Sequence, residues 1–330
     1  MKRWLAILLV LLLLGGCAAK PQDYETEFFA MDTVMTMHLY GEDLEAQARR
    51  LIFDINDLDA ALSVTRPESE VYRLNSGETI IPSRSFLDLT VRTMALCART
   101  DGCLDPTVYP IVKLWGFTTG QYHVPTEEEI AEALAFCGVE HTHLQGGRFS
   151  LDEGSSLDFG AVAKGYASEL CANQLTEAGV SGILALGGNI QTVGSKPDGS
   201  PWRVGITDPA DPSRSVAVLN LTGSHAVVTS GGYQRYFEED GQRYSHIMDP
   251  ATGQSARAGL SSVTIVADSG FLADGLSTAL YVMGPEKAEA FWRDSDDFEC
   301  VLITDDGKML VTEGLADKIE TEIGFTVIAQ

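Results

Sequence analysis

The chain has 330 residues, with 23 Lys and Arg against 47 Asp and Glu, a formal net charge of −24. A surface this acidic repels phosphate backbones and anionic headgroups, which excludes nucleic acid as a partner and a basic patch as a means of reaching a membrane. Glycine and proline are spread evenly, without repeats or low-complexity stretches, and the length suffices for one large core or two closely packed ones.

In chain order, the first feature is Lys2 and Arg3 followed by an apolar run from Leu5 to Leu14, then Gly15, Gly16 and Cys17. A run of about ten apolar residues fits an export signal and falls short of the ~20 that a membrane span needs. Ending in small residues before a cysteine, it resembles a bacterial lipoprotein signal, which implies cleavage before Cys17 and lipid on its sulfur. A plain secretory signal or a short anchor is the alternative. Loss of residues 1–16 removes Lys2 and Arg3 and leaves 21 basic and 47 acidic side chains, a formal charge of −26. The layout is therefore a signal over 1–16, a lipid-anchored tether over 17–26 and a folded domain over 27–330, at the extracytoplasmic face of a bacterial membrane. Five further cysteines, Cys97, Cys103, Cys137, Cys171 and Cys300, form no CxxC and cannot all pair. Cys97 with Cys103 is a possible disulfide, the others small buried residues.

Beyond the tether, residues 42–62 carry Leu44, Ala48, Leu51, Ile55, Leu58 and Leu62 at helical spacing, and 85–100 carry Leu89, Met94 and Ala98. Thr126 with Glu129 forms a capping-box start for a helix to about Phe136. Another helix spans Lys164 to Ala178. Strands are predicted at Gly182–Leu186, Trp202–Thr207, Val216–Leu221, Ala226–Thr229 and Ser262–Ala267, with a hairpin over Tyr233–Met248 turning at Glu239–Gly241. Helices over Phe271–Met283 and Pro285–Asp294 lead to a closing hairpin around Asp305-Asp306-Gly307. Helices and strands intermingle without a βαβ beat, which points to α+β with largely antiparallel sheets.

Several segments carry chemistry. Asp274 and Thr278 lie four apart on a predicted helix with Ser277 alongside, so an acid and hydroxyls share one face. Such oxygen ligands suit Mg²⁺; helix capping and packing are the alternative. Asp158 to Tyr166 sets an acid, small residues and Lys164 at the entry to a helix, where free amides can meet an anion, or where Asp158 merely caps a turn. No GxGxxG or Walker pattern is present, so ordinary dinucleotide folds lose support. Leu186-Gly187-Gly188-Asn189 and Thr229-Ser230-Gly231-Gly232 are glycine turns at strand ends. Leu104-Asp105-Pro106-Thr107 and Leu114-Trp115-Gly116-Phe117 read either as a pocket wall or as a core Trp beside a Pro-fixed turn. Among six histidines, His246 stands at a strand end three residues before Asp249, where an imidazole can act as a base. His141 and His143 have no third ligand nearby and read as solvated strand residues.

These segments, with Phe29 to Thr33, Ser69 to Asn75 and Ala273 to Leu280, run in order over nearly the whole mature chain, and together they resemble the FAD:protein FMN transferase family, the ApbE-type flavin transferases. The resemblance implies an α+β enzyme with a flavin site in a cleft between subregions. It would use Mg²⁺ to cleave FAD, attach FMN by a phosphoester to a Ser or Thr hydroxyl of an acceptor protein, and release AMP. The implied acceptors are flavoprotein subunits of membrane redox complexes. Position by position, Asp274 and Thr278, with Ser277 beside them and the Ala161 carbonyl, become metal ligands. Met31, Cys103, Leu104, Asp105, Asp158 and Lys164 match positions lining the FAD site, and His246 matches the general base. Thr65 stands where the family usually offers an aromatic residue to the flavin, and Gly232 stands where a polar or acidic residue is common. An FAD pyrophosphatase releasing FMN and AMP, and a non-catalytic FAD-binding lipoprotein, are the alternatives.

Overall fold

The computed structural model describes residues 22–330. The signal segment and Cys17 lie outside them. The strands are β1 Asp23–Ala30, β2 Thr33–Tyr40, β3 Thr142–Gln145, β4 Arg148–Leu151, β5 Ser181–Leu186, β6 Asn189–Val193, β7 Trp202–Asp208 and β8 Asp211–Leu221. They continue with β9 His225–Gly231, β10 Tyr236–Glu239, β11 Gln242–Ser245, β12 Leu260–Ala267, β13 Phe298–Thr304, β14 Met309–Thr312, β15 Ile319–Thr321 and β16 Phe325–Ile328. The helices are α1 Leu44–Leu62, α2 Glu70–Asn75, α3 Arg84–Arg99, α4 Tyr109–Leu114, α5 Glu127–Leu134, α6 Ala163–Glu177, α7 Gly270–Met283 and α8 Pro285–Arg293.

A nine-stranded sheet in the order β1-β2-β5-β6-β9-β12-β13-β14-β16 forms the frame, antiparallel except where β14 meets β16. Alternation along its strands divides two cores. On one face Met35, Met37, Leu184, Val228, Val263 and Ile265 pack with α1, α6 and α7; on the other, Val227, Val266, Val301 and Val311 pack against Val204, Ile206 and Leu219 of the small sheet β15-β8-β7. The expected mixed α+β architecture with largely antiparallel sheets and packed helices is the one observed.

Helix α1 buries all six residues of its predicted stripe. The α5 capping box is complete, with the Thr126 side chain accepting from the Glu129 amide and Glu129 accepting from the Thr126 amide. In α3 the buried face is Phe86, Leu89, Thr90, Thr93, Leu96 and Cys97, while Ala98 is exposed and Met94 only partly covered. The expected stripe is corrected there because Thr90 and Thr93 return their hydroxyls to the carbonyls of Phe86 and Leu89, each at 2.7 Å, and so bury without an unmet polar group.

Strand β1 pairs with β2 from Asp23 onward, so the last four residues of the tether read from the sequence belong to the fold. The five described cysteines are free, and the Cys97–Cys103 disulfide is not formed. His141 and His143 both bond Asp152, at 3.0 and 2.7 Å. Trp115 is fully buried and donates its Nε1–H to the Gly253 carbonyl at 2.9 Å, the core-Trp alternative rather than a pocket wall. No helix among the described residues is long and apolar enough to cross a membrane.

Candidate active site

At one end of the large sheet the β1–β2 turn, the Gly187-Gly188 turn between β5 and β6, and the end of β9 come together. Met31 and Asp32 form the first of these with φ of 47° and 57°, a left-handed pair without glycine. Such a conformation costs about 1–2 kcal/mol per residue and is tolerated where surrounding contacts impose it. Met31 packs against the main core.

Helices α6 and α7 bring the next residues to this end. They cross at Gly165 and Gly270, where a Cβ on Gly165 would lie 2.2 Å from the Gly270 carbonyl oxygen. Helix α7 is capped by Ser269, whose Oγ accepts from the Leu272 amide and donates to Glu169 on α6. Glu169 also receives Arg92 at 2.7 Å. The crossing delivers Asp274, 4 % exposed, to the start of α6, where the Gly165 amide donates to its Oδ2 at 2.7 Å. Burial pushes the Asp274 carboxyl above the usual carboxylate range, against the pull of Lys164 and the Gly165 amide.

Around Asp274 the hydroxyls form a chain. Ser277 Oγ donates to the Asp274 carbonyl at 2.8 Å and lies 2.7 Å from Ser230 Oγ, which is 3.4 Å from Thr278 Oγ1. Ser277 is fully buried and committed to these bonds, whereas Thr278 is partly exposed. The Gly165 amide faces Asp274 instead of the carbonyl four residues back, and among the described residues no backbone amide donates to the Ala161 carbonyl. A carboxylate, a hydroxyl and a free carbonyl are the oxygen donors that suit Mg²⁺, and the absence among the described residues of three or more His, Cys, Asp or Glu grouped to hold an ion argues against a zinc-type site. Asn189, 3 % exposed, sits beside Asp274 without meeting hydrogen-bond geometry, so its Nδ2 is a buried donor with no partner. A phosphate oxygen there would satisfy it.

The loop before α6 is clamped by Asn75, which donates to the Leu157 carbonyl at 2.8 Å and accepts from the Leu157 amide at 2.7 Å. Asp158 follows, accepting from the Gly160 amide at 2.7 Å while its own amide donates to Pro106 at 2.8 Å. Burial raises its carboxyl, and the Gly160 amide, Lys164 and Arg235 oppose the rise. Through Pro106 the loop meets the Cys103–Asp105 segment. There Asp105 caps a short 3₁₀ turn by accepting from the Thr107 amide and hydroxyl, at 2.8 and 2.6 Å. Burial raises the Asp105 carboxyl and the Cys103 thiol, the latter also under the charge of Asp249. Leu104 is buried. Thr65 is exposed in the α1–α2 loop, its Oγ1 3.2 Å from Ser63 Oγ.

His246 follows β11. Its Nδ1–H donates to the Arg235 carbonyl at 3.1 Å, and its own amide donates to the same oxygen at 3.0 Å. This fixes the ring and leaves the lone pair on Nε2. Burial, with the charges of Arg235 and Lys164 added, lowers its pKa to about 4, against the Arg235 hydrogen bond, so the imidazole is neutral at pH 7. Phe117 lies edge-on at 6.4 Å, backed by Phe237 and Tyr122, which stack at 5.1 Å.

Lys164 unites these parts, because its charge acts on Asp158, His246 and Asp274 together. The predicted residues of the 158–164 turn, the 246 strand end and the 274–278 helix face therefore share one site. Met31 joins it at the same sheet end, and Cys103 to Asp105 join through Pro106 and Asp249. Thr65 makes no described contact with this group. Arg235, Ser230, Asn189, Asn75 and Glu169 also belong to the site without being among the predicted site residues; Asn189 and Ser230 are signalled in the sequence only through the two glycine turns that carry them.

Residues 31–302 match the sequence family described as the ApbE family. The chain is 35% identical over 323 residues to the FAD:protein FMN transferase of Vibrio cholerae, covering 93% of this chain and 96% of that protein. It is 32% identical over 331 residues to the one from Escherichia coli, covering 93% of each. The crystal structure of the ApbE protein from Thermotoga maritima superposes with a TM-score of 0.84 at 32% identity, covering 90% of this chain and 99% of that one. The flavin transferase ApbE from Vibrio cholerae gives 0.80 at 31%, covering 91% and 100%.

Proposed function

The chain belongs to the ApbE family, and on that premise we propose that it is an FAD:protein FMN transferase, moving FMN from FAD to a Ser or Thr hydroxyl of an acceptor flavoprotein with release of AMP. The observation that carries the reading is the convergence on Lys164 of a carboxylate with ligand-type neighbours, Asp274, and a neutral imidazole, His246.

Asp274, Thr278 and the Ala161 carbonyl would hold Mg²⁺, with Ser277 bracing Thr278 through Ser230. Bound there, the ion neutralises charge on the FAD pyrophosphate. Lys164 and Arg235 add fixed positive charge beside the same group, and Asn189 offers its unpartnered donor. His246 Nε2 takes the proton of the acceptor hydroxyl, and the hydroxyl oxygen forms the new bond to the FMN-side phosphorus. The bond from that phosphorus to the bridging oxygen breaks, and AMP leaves with that oxygen. Met31, Thr65, Cys103, Leu104, Asp105 and Asp158 are proposed to line the FAD cleft.

The N-terminal segment supports a second part of the reading: a mature chain beginning at Cys17, lipid-anchored at the extracytoplasmic face of a bacterial membrane. Acceptors would be the outward-facing flavoprotein subunits of membrane redox complexes. Incubation of the protein with FAD, Mg²⁺ and a domain bearing an acceptor Thr, followed by mass spectrometry, tests the activity. A covalent FMN adduct supports the transferase, free FMN alone makes the protein a pyrophosphatase, and unchanged FAD makes it a binder. His246→Ala is expected to lower transfer by about 10² to 10⁴ while retaining FAD binding.

A further inference from the structure

Arg235 stands at the last position before β10, in the loop that leaves the large sheet after β9. Two links run through it in opposite directions. Its carbonyl receives the His246 ring at 3.1 Å and the His246 amide at 3.0 Å, which occupies both lone pairs of that oxygen. Its Nη2 donates to the Phe117 carbonyl, and the guanidinium lies over the Phe117 ring at 5.9 Å. Phe117 is a firm anchor, 2 % exposed, with its amide donating to the Val112 carbonyl at 3.1 Å and its neighbour Trp115 bonded to Gly253.

The His246 ring depends on this arrangement. Among the described residues no other hydrogen bond reaches the ring, so the Arg235 carbonyl alone keeps the proton on Nδ1 and the lone pair on Nε2. The strands that flank the contact cannot hold that carbonyl by themselves. Strands β10 and β11 form a two-stranded sheet with four residue pairs, Tyr236–Ser245 to Glu239–Gln242, and most of their residues are exposed. An isolated hairpin of that size is marginal in water. The side chain of Arg235 supplies the missing restraint, because it ties the root of the hairpin to the buried Phe117 corner. Among the described residues no carboxylate lies within 4.0 Å of its guanidinium, in a protein with 47 acidic side chains, so the hydrogen bond to Phe117 does not compete with an ion pair.

We propose that Arg235 is a positioning residue for the transfer reaction, whose guanidinium clamps the Phe117 carbonyl so that its own carbonyl holds His246 with Nε2 free to take a proton. Its catalytic consequence rests on the transferase reading; the state of the imidazole does not. Lysine would keep the charge but not the role, since a point donor on a flexible stem cannot bond the carbonyl and lie flat over the ring at once.

The test compares the full chain with Arg235→Lys. In protein labelled with [15N]histidine, nitrogen NMR at pH 7 reads which ring nitrogen of His246 carries the proton, with the signal assigned by its loss in His246→Gln. The wild type is expected to show the Nδ1–H form alone and Arg235→Lys a mixture of both tautomers. Transfer of FMN to a domain bearing an acceptor Thr should fall about tenfold in kcat, with the FAD dissociation constant within twofold of wild type because the charge is retained. A single tautomer in Arg235→Lys, or mixed tautomers with wild-type kcat, overturns the assignment. Mixed tautomers in Arg235→Lys, with no adduct from either protein, uphold the clamp on His246 and defeat the transferase reading instead.

Discussion

The Gly165 amide and Asp274 Oδ2 are joined by a 2.7 Å hydrogen bond that crosses from one helix to the next and holds one carboxylate oxygen. That bond exists because two glycines let the helices touch. A Cβ at 165 would fall 2.2 Å from the Gly270 carbonyl oxygen and 2.4 Å from Asp274 Cβ. Gly165→Ala is expected to cost about 1–3 kcal/mol through overpacking, and to raise the Mg²⁺ concentration for half-maximal turnover as Asp274 is displaced. Thermal melts and Mg²⁺ titration check both, and an unchanged Mg²⁺ requirement would remove this contact from the metal site.

Asp274→Asn keeps the shape and can still accept from Gly165, but it loses the charge. Mg²⁺-dependent turnover should be abolished. The pH dependence of stability should change too. Burial raises the folded-state pKa of Asp274, so the folded form holds the proton longer than the unfolded form and stability falls as pH rises through that window. In EDTA, the Asn variant should lack that fall, which melts at a series of pH values between about 4 and 8 would reveal.

His246 makes an opposite prediction. Its folded pKa of about 4 lies below the usual imidazole value of 6.5. Unfolded chains take up the proton first, so His246 lowers stability as pH drops through 6.5 toward 4, and His246→Gln should flatten that limb. For catalysis, the base should stay competent well below the pH at which an exposed imidazole is lost. A kcat/KM profile whose acid limb falls with a midpoint near 6.5 would contradict the assignment of His246 as the base of the free enzyme.

Glu169 ties the start of α7 to α6. Burial alone would raise its carboxyl, but Arg92 at 2.7 Å and Ser269 bring it below the usual range. Its stabilisation is thus present above the unfolded-state pKa and is lost as pH falls through the lowered one. Glu169→Gln should cost about 1–3 kcal/mol at pH 7, and progressively less as pH falls through the lowered folded-state pKa. Denaturant unfolding of both proteins over a series of acidic pH values measures the difference.

Legibility in the sequence followed the kind of interaction. Helix α1 was readable residue by residue because its stripe from Leu44 to Leu62 is wholly apolar. In α3 the stripe was misplaced because two of the buried positions are threonines whose hydroxyls are satisfied within the helix. The β1–β2 turn carries no glycine, proline or asparagine and only Asp32 as a turn-favouring residue, so nothing local announces the positive φ of Met31. Segments that carry the proposed chemistry were found through their order along the chain. Arg235 was not, since it reads as one more hairpin residue until its carbonyl is seen holding the His246 ring and its charge acting on Asp158. Asn75 and Glu169 act by contacts 82 and 100 residues away in sequence, and no local pattern announces such partners.

The free edge of strand β1 has a bearing on self-association. Asp23, Glu25 and Glu27, followed by Phe29, occupy its exposed positions in alternation. A second copy approaching edge to edge would set three carboxylates against another acidic row, and like charges directly opposed destabilise a strand pair. The acids thus oppose a β1-to-β1 pairing of two copies, and replacing them with neutral residues would remove that obstacle to a sheet continued across a dimer.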